Sequence, residues 1–432
     1  MRKIEFLSAV TPSQVAKQLP RALVSIDSVK DSVLQIISEV QNESLTALKR
    51  HALSFDGLEN VSFRVPAEKL TQALADLDPD LRKAIEISIE RVRKVSIATM
   101  PKSVSVEVTP GGFVSQHYVP IDSVGLYAPG GKAVYPSSVV MNVVPAQVAN
   151  VPRIAITSPA QANGFPHQTV MATCALLGVD EVYSMGGASA VAAYAFGIPE
   201  IDLAPVQMVT GPGNIFVAAA KRALRGVIGI DSEAGPTEIL ILADATANPK
   251  FIAADLISQA EHDGSAAAVL VTDSKDLIEA VEAELAIQIP KAANVERIQA
   301  SLNGIQSALV LVQDISVGIE IANEYATEHL EIQTKDPEAV AKQIKNAGAV
   351  FVGDYSPVSL GDYLAGSNHV LPTGVQAKFS SGLSVMTFLR SQQHISYSKA
   401  ALSETAPALE VFSKAEGLEA HGRAAIIRQE EF

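Results

Sequence analysis

From Ser123 onward two patterns of hydrophobicity alternate along the chain. Short runs rich in Val, Ile and Ala end in Gly, Pro, Ser or Asp, and each is followed by about ten to fifteen residues of helical spacing. That alternation is the signature of β-α-β units, whose crossover helices force neighbouring strands to lie parallel. The candidate strands span 123–127, 153–157, 181–185, 207–210, 238–243, 267–272, 308–312, 330–333 and 349–352. So many parallel strands exceed one ordinary open sheet of about 4–6 strands. The expected fold class is therefore α/β, with two doubly wound, incomplete Rossmann-like domains and small terminal arms.

The flanking segments read differently. Between Ser28 and Ala98 the spacing is helical, with Val33, Ile36, Ile37 and Val40 in one stripe and Ala84, Ile87, Ile89 and Val92 in another. A loop from Gly353 to Gly382, dense in Gly, Ser, Pro and Asp, precedes a largely helical tail, and loops of that length in compact enzymes usually serve function. The expected division is an N-terminal arm at 1–24, a first α/β domain made of 25–125 and 238–378, a second α/β domain at 126–237 inserted into it, and a helical C-terminal arm at 379–432.

Charge and cysteine content narrow the function classes. With 33 Lys and Arg against 47 Asp and Glu, a net charge of -14 argues against a phosphate-tracking surface, so nucleic acid is not an expected partner. A single cysteine, Cys174, rules out an intrachain disulfide framework and a cysteine-built zinc cage. It sits in the apolar stretch Met171 to Leu177, where a buried, inert thiol is the simpler reading than a thiohemiacetal nucleophile. Any metal must then rest on His, carboxylate or amide ligands. Glu5 interrupts the first apolar stretch, so no signal peptide is read, and no apolar run reaches the roughly 18 residues that span a bilayer. The expected location is the cytoplasm.

Three glycine turns follow candidate strands: Ala128-Pro129-Gly130-Gly131, Gly186-Gly187-Ala188 and Gly211-Pro212-Gly213-Asn214. Each opens a helix whose free N–H groups can face a phosphate, although none completes the GxGxxG pattern and each alone also reads as a tight connection. Of the eight histidines, His51, His117, His167 and His394 read as solvated, capping or structural. The others lie in polar contexts. Gln259 and His262 stand at i, i+3 on a helical segment, which suits a shared cation or a surface hydrogen bond. Glu328 and His329 adjoin at a strand entrance: a carboxylate that can draw a proton from water beside an imidazole that can take one from an alcohol, or a solvated Glu beside a capping His. Consecutive strand residues point to opposite faces, so both serve one site only where the backbone is irregular. Asp362 and His369 lie in a glycine-bounded loop, and His421 near the C-terminus reads, alone, as exposed.

Together these motifs resemble the histidinol dehydrogenase family over nearly the whole chain. The residues that carry the resemblance are Val124-Gly125-Leu126-Tyr127-Ala128-Pro129-Gly130-Gly131, Gly211-Pro212-Gly213-Asn214, Ala234-Gly235-Pro236-Thr237-Glu238, Asp255 to His262, Glu328-His329-Leu330, Gly361-Asp362-Tyr363 and Asn368 to Thr373. The resemblance implies a zinc- and NAD-dependent enzyme that oxidises L-histidinol to L-histidine by two hydride transfers through an aldehyde. It implies Gln259, His262, Asp362 and His421 as zinc ligands, one Zn2+ per subunit, and a homodimer whose C-terminal arms swap so that His421 completes the partner's site. It further implies His329 as general base, Glu328 as activator of water, Thr237, His369 and Glu416 beside the substrate with the metal ligands and His329, and Tyr127, Ser189 and Asn214 beside the cofactor, on the 126–237 side.

Three residues depart from the family pattern. Ser189 replaces the usual Gln after Gly-Gly-Ala and shortens any cofactor contact there. Thr237 replaces the Ser of some members and keeps a hydroxyl. Thr327 stands where Pro usually precedes Glu-His and frees a backbone N–H. Two other function classes compete: a related zinc and NAD dehydrogenase of another small polyol or sulfonated diol, and a non-catalytic nucleotide- or metal-binding module, which leaves the Glu328-His329 pair unexplained.

Overall fold

The computed structural model describes residues 1–6, 8, 11–21, 26–130, 134–233 and 235–429. Gly131 and Ala234, both in the motifs above, lie outside the described residues. In chain order the strands are β1 (Arg2–Phe6), β2 (Val104–Thr109), β3 (Gly112–Pro120), β4 (Ser123–Tyr127), β5 (Arg153–Ser158), β6 (Val182–Ser184) and β7 (Met208–Thr210). They continue with β8 (Gly229–Ile230), β9 (Glu238–Ala243), β10 (Ala267–Thr272), β11 (Ala308–Val312), β12 (His329–Gln333), β13 (Ala349–Val352) and β14 (Leu389–Tyr397).

Two parallel sheets carry the fold. One runs β6-β5-β4-β7-β8 and the other β1-β11-β10-β9-β12-β13. Apart from β1 at its edge, the second repeats the order of the first: in each, the first strand of the unit lies centrally, the next two step outward on one side, and the last two follow on the other. Every residue of β9, β10 and β12 is buried, as it must be in a parallel sheet covered on both faces. Separate apolar clusters flank the two faces of each sheet. Cys174, on the helix Gln168–Leu176, is sealed in one of them, and burial drives its thiol far above the ordinary range.

All nine expected strands are present to within one or two residues. Three features differ from expectation. Arg2–Phe6 is a strand that joins the edge of the six-stranded sheet by parallel pairing with β11. Val104–Thr109 and Gly112–Pro120 form an antiparallel hairpin through Pro110-Gly111, with Gly111 at φ 77°. The tail is not wholly helical either, since its Leu389–Tyr397 segment pairs antiparallel with β3 along the full length of both strands before the helices Lys399–Ala415 and Glu419–Ile426.

The helices of 30–98 pack on the five-stranded sheet, whereas the sequence reading had grouped 25–125 with 238–378. Val33, Ile36, Ile37, Val40, Ala47 and Leu48 cluster with Ala155, Tyr183 and Val209, and Leu70, Ile85 and Val92 with Val124, Ile156 and Val182. On the helix Pro79–Ala98 the buried face is Ile85, Ser88 and Val92, one position away from the expected Ala84 and Ile87. No helix among the described residues is long and apolar enough to cross a membrane.

Candidate functional site

The two sheets meet at a cleft of about 1380 Å³. The five-stranded sheet presents the carboxyl ends of β4 and β7, between which the strand order reverses, the usual ligand crevice of an open α/β sheet. The six-stranded sheet presents instead the amino ends of β9 and β12. Tyr127, Ser189 and Asn214 line one wall, and Thr237, His262, Glu328, His329, Asp362 and His369 line the other.

On the first wall the chain approaches itself closely. Gly211, just past β7, has φ 110°, and a Cβ there would lie 2.2 Å from the Tyr127 carbonyl oxygen, so only glycine allows the turn. The turn is tied down by the buried Lys221, whose Nζ donates to the Gly211 carbonyl and to Asp231 Oδ1, both at 2.6 Å, while Asp231 Oδ2 accepts from Gly211 N at 2.8 Å. Asn214 caps the helix Ile215–Leu224 by accepting from Phe216 N and Val217 N. The Tyr127 hydroxyl accepts from Gly187 N at 3.2 Å, and burial pushes its pKa up to about 12.

Ser189, in the first turn of the helix Gly187–Phe196, is partnered by His51. Its Oγ lies 2.9 Å from His51 Nδ1, and His51 Nε2 lies 2.7 Å from Glu39 Oε2. His51 is thus a buried wall residue of the cleft rather than a solvated one. Its helix carried the signal, because His51 falls on the same face as Ala47 and Leu48. The hydrogen bond from His51, with further bonds from Gln35 and Arg50, holds Glu39 down at about 2, so its carboxylate is ionised at neutral pH.

On the second wall the ladder of β12 begins at His329, so Glu328 precedes it and escapes strict strand alternation. The preceding Ala326 is left-handed, at φ 47°, and re-aims the chain at this point. Glu328 Oε2 accepts from Thr237 Oγ1 at 2.5 Å and from Glu238 N at 3.0 Å, and Gln259 Nε2 donates to Thr237 Oγ1 at 2.5 Å. His329 Nδ1 lies 3.0 Å from the Glu238 carbonyl oxygen and 3.5 Å from Glu328 Oε2. A carbonyl can only accept, so Nδ1 carries the proton in the neutral ring and Nε2 is the basic nitrogen. His329 Nε2 is buried without a hydrogen-bond partner, 4.0 Å from Asp362 Oδ1. Burial pushes Glu328 up to about 7, against the opposing pull of His329 and the hydrogen bonds it accepts. Arg21 reaches in from the N-terminal segment to pair with Glu238 and stacks on the Tyr325 ring at 4.2 Å.

Gln259 lies in the last turn of the helix Pro249–Ala260, and His262 lies just past its cap, joined to it by His262 N donating to the Gln259 carbonyl at 3.3 Å. Gln259 Oε1 is buried with no donor facing it. Burial pulls His262 below the usual imidazole range, against the pull of Asp362, and so favours the neutral ring. His369 lies 3.0 Å from the Asp362 carbonyl through Nδ1 and 3.0 Å from Ser138 Oγ through Nε2. Among the described residues no group of three or more His, Cys, Asp and Glu side chains is gathered to hold a metal ion. Glu416 and His421 are exposed on the C-terminal helices and do not line the cleft.

Comparison with known proteins accords with this geometry. A sequence model of the histidinol dehydrogenase family matches residues 19–429. The chain is 55% identical to the histidinol dehydrogenase of Thermobifida fusca over 419 residues, 96% of this chain and 95% of that one. It is 52% identical to that of Corynebacterium glutamicum over 428 residues, 98% and 97% of the two chains. The crystal structure of histidinol dehydrogenase from Elizabethkingia anophelis superposes with a TM-score of 0.94 at 30% identity, covering 99% of this chain and 98% of that one. The chain belongs to the histidinol dehydrogenase family, NAD-dependent oxidoreductases that act on an alcohol.

Proposed function

We propose that the chain carries out the zinc-dependent, four-electron oxidation of L-histidinol to L-histidine through histidinal, with two NAD, in the cytoplasm. The observation that carries this reading is the pairing of two differently prepared bases at the head of β12. His329 Nε2 is an unpartnered nitrogen held in a fixed direction, suited to take the alcohol proton as hydride leaves the adjacent carbon. Glu328, with its pKa near neutrality, is suited to draw a proton from the water that adds to the aldehyde, giving the hydrate for the second oxidation. Thr237 and Glu238 N fix that carboxylate by hydrogen bonds, and His369, with both ring nitrogens engaged, braces Asp362 and the wall beside it.

The residues present fit a cation. Gln259 Oε1 is an orphaned acceptor, His262 is favoured as the neutral ring, and Asp362 adds a carboxylate on the same wall. Zinc bound by these groups and His421 would orient the amine and imidazole of the substrate. Because His421 lies outside the cleft of its own chain, we propose that it and Glu416 serve the cleft of a second copy in a homodimer. Tyr127, Ser189 and Asn214 are proposed to contact NAD, which accepts the hydride. As domains we propose an arm at 1–24, an α/β unit of 25–125 with 238–378, a cofactor-side unit at 126–237 and a swapped arm at 379–432, with the helices of 30–98 packed across to the cofactor side.

The test is NADH formed per L-histidinol consumed, by protein purified without added metal, with and without chelator. Two NADH per histidinol, lost on chelation and restored by zinc, is the expected result. No NADH from metal-replete protein would move the assignment to another small polyol or sulfonated diol.

A further inference from the structure

Directly behind the second wall lie one buried and one half-buried acid that the proposed chemistry does not use. Glu331 is 1% exposed and sits two residues beyond His329 on β12, on the same face of the strand. Asp255 lies one helical turn before Gln259 on the helix Pro249–Ala260. The Gln333 amide bridges their carboxyls, donating to Glu331 at 3.0 Å and to Asp255 at 3.3 Å. The second oxygen of Glu331 accepts from Val358 N at 2.9 Å. Val358 is the first residue of the helix Val358–Tyr363, which carries Asp362. That short helix is seated further by Gly361, where a Cβ would lie 2.6 Å from the ring of Phe351, the residue paired with Glu331 across β12 and β13.

Glu331 therefore links all three elements that deliver the site, through Val358 N directly and through the Gln333 amide to Asp255. These are the strand that begins with His329, the helix that carries Gln259 in its last turn and leads to His262, and the helix that presents Asp362. We propose that Glu331, together with Asp255, is a positioning residue that locks these elements in mutual register and so sets the spacing of the cation ligands and the base. Groups behind the ligands commonly tune affinity this way, and their loss typically costs about 10–100-fold in metal affinity. Such an acid pair is a poor source of stability in itself, since its desolvation offsets most of its gain, so a geometric role accounts for its presence better than a stabilising one. This inference rests on the metal reading above.

The test compares wild type with Glu331→Ala, Glu331→Gln and Val358→Pro, measuring zinc retention against a chromophoric chelator, KM for histidinol and for NAD, and Tm. Glu331→Ala should release zinc about 10-fold or more faster and raise KM for histidinol, leaving KM for NAD unchanged. Glu331→Gln keeps an acceptor for Val358 N and should restore both to within about 3-fold of wild type. Val358→Pro removes the N–H and replaces one buried apolar side chain by another of similar size, at a first helical position where proline is tolerated, and should loosen zinc even if Glu331→Ala fails to fold. Variants that melt earlier but hold zinc and histidinol as wild type does would overturn the proposal. A wild-type chain that retains no zinc would overturn the metal reading itself, and this inference with it.

Discussion

The imidazole of His329 is aimed by the main chain of a neighbouring strand: its Nδ1 lies 3.0 Å from the carbonyl of Glu238, the first residue of β9, so the ring cannot turn without losing that bond. The direction of Nε2 is thus set by strand pairing and not by another side chain. Replacing His329 with Ala should lower the rate of alcohol oxidation by about 10²–10⁴-fold while zinc and NAD still bind. Single-turnover NADH formation from histidinol checks this, and an unchanged rate would remove His329 from the base's role.

Glu328 should divide the two oxidations. Glu328→Gln is expected to spare the first NADH and slow conversion of added histidinal by about 10²-fold or more. In the wild type the aldehyde step should rise as pH passes through about 7, where the carboxyl ionises. Equal losses in both steps would contradict the division of labour.

The same carboxyl makes a stability prediction of opposite sign. Its folded pKa lies above the ordinary value, so between pH 4.5 and about 7 the folded state binds more protons than the unfolded one. Stability therefore falls as pH rises through that window. Glu328→Gln should match wild type in stability near pH 4, and above pH 7 be the more stable by on the order of 1–3 kcal/mol, seen as a higher Tm. Thermal melts of the two proteins across that range provide the comparison.

On the wall proposed to hold NAD, the Glu39 carboxylate can only accept, so His51 Nε2 donates to it, and His51 Nδ1 faces the Ser189 hydroxyl. His51→Ala should shift KM for NAD by about 2–10-fold, the worth of one hydrogen bond, with kcat for histidinol little changed. A change confined to kcat would place His51 outside cofactor binding.

Mixing subunits tests the shared site. A Gln259→Ala chain co-refolded with a His421→Ala chain should regain roughly a quarter of wild-type activity, since half the dimers are mixed and each of those holds one intact site. No recovery would argue that each chain completes its own cleft.

The parallel strands were legible because each is a short, fully buried run between helical segments, a pattern that depends only on local sequence. The strand Leu389–Tyr397 was not, since all but its first residue are exposed and its pairing partner, β3, lies more than two hundred residues away. Glu328, His329, Gln259 and Asp362 stood out by residue type and by resemblance. His51 and Glu331 did not, because a buried polar group looks like any other until its partners are known, and theirs come from distant segments: Ser189 for one, Val358 for the other.

The sealing of Cys174 gives the molecule an internal clock. With the chain's one sulfhydryl wholly inside the flank of the five-stranded sheet and its ionisation suppressed, a disulfide reagent can reach it only when that flank opens. Modification of this thiol therefore times the breathing of that core, and sensitivity to alkylating agents reports lost structure rather than a reactive group in the cleft.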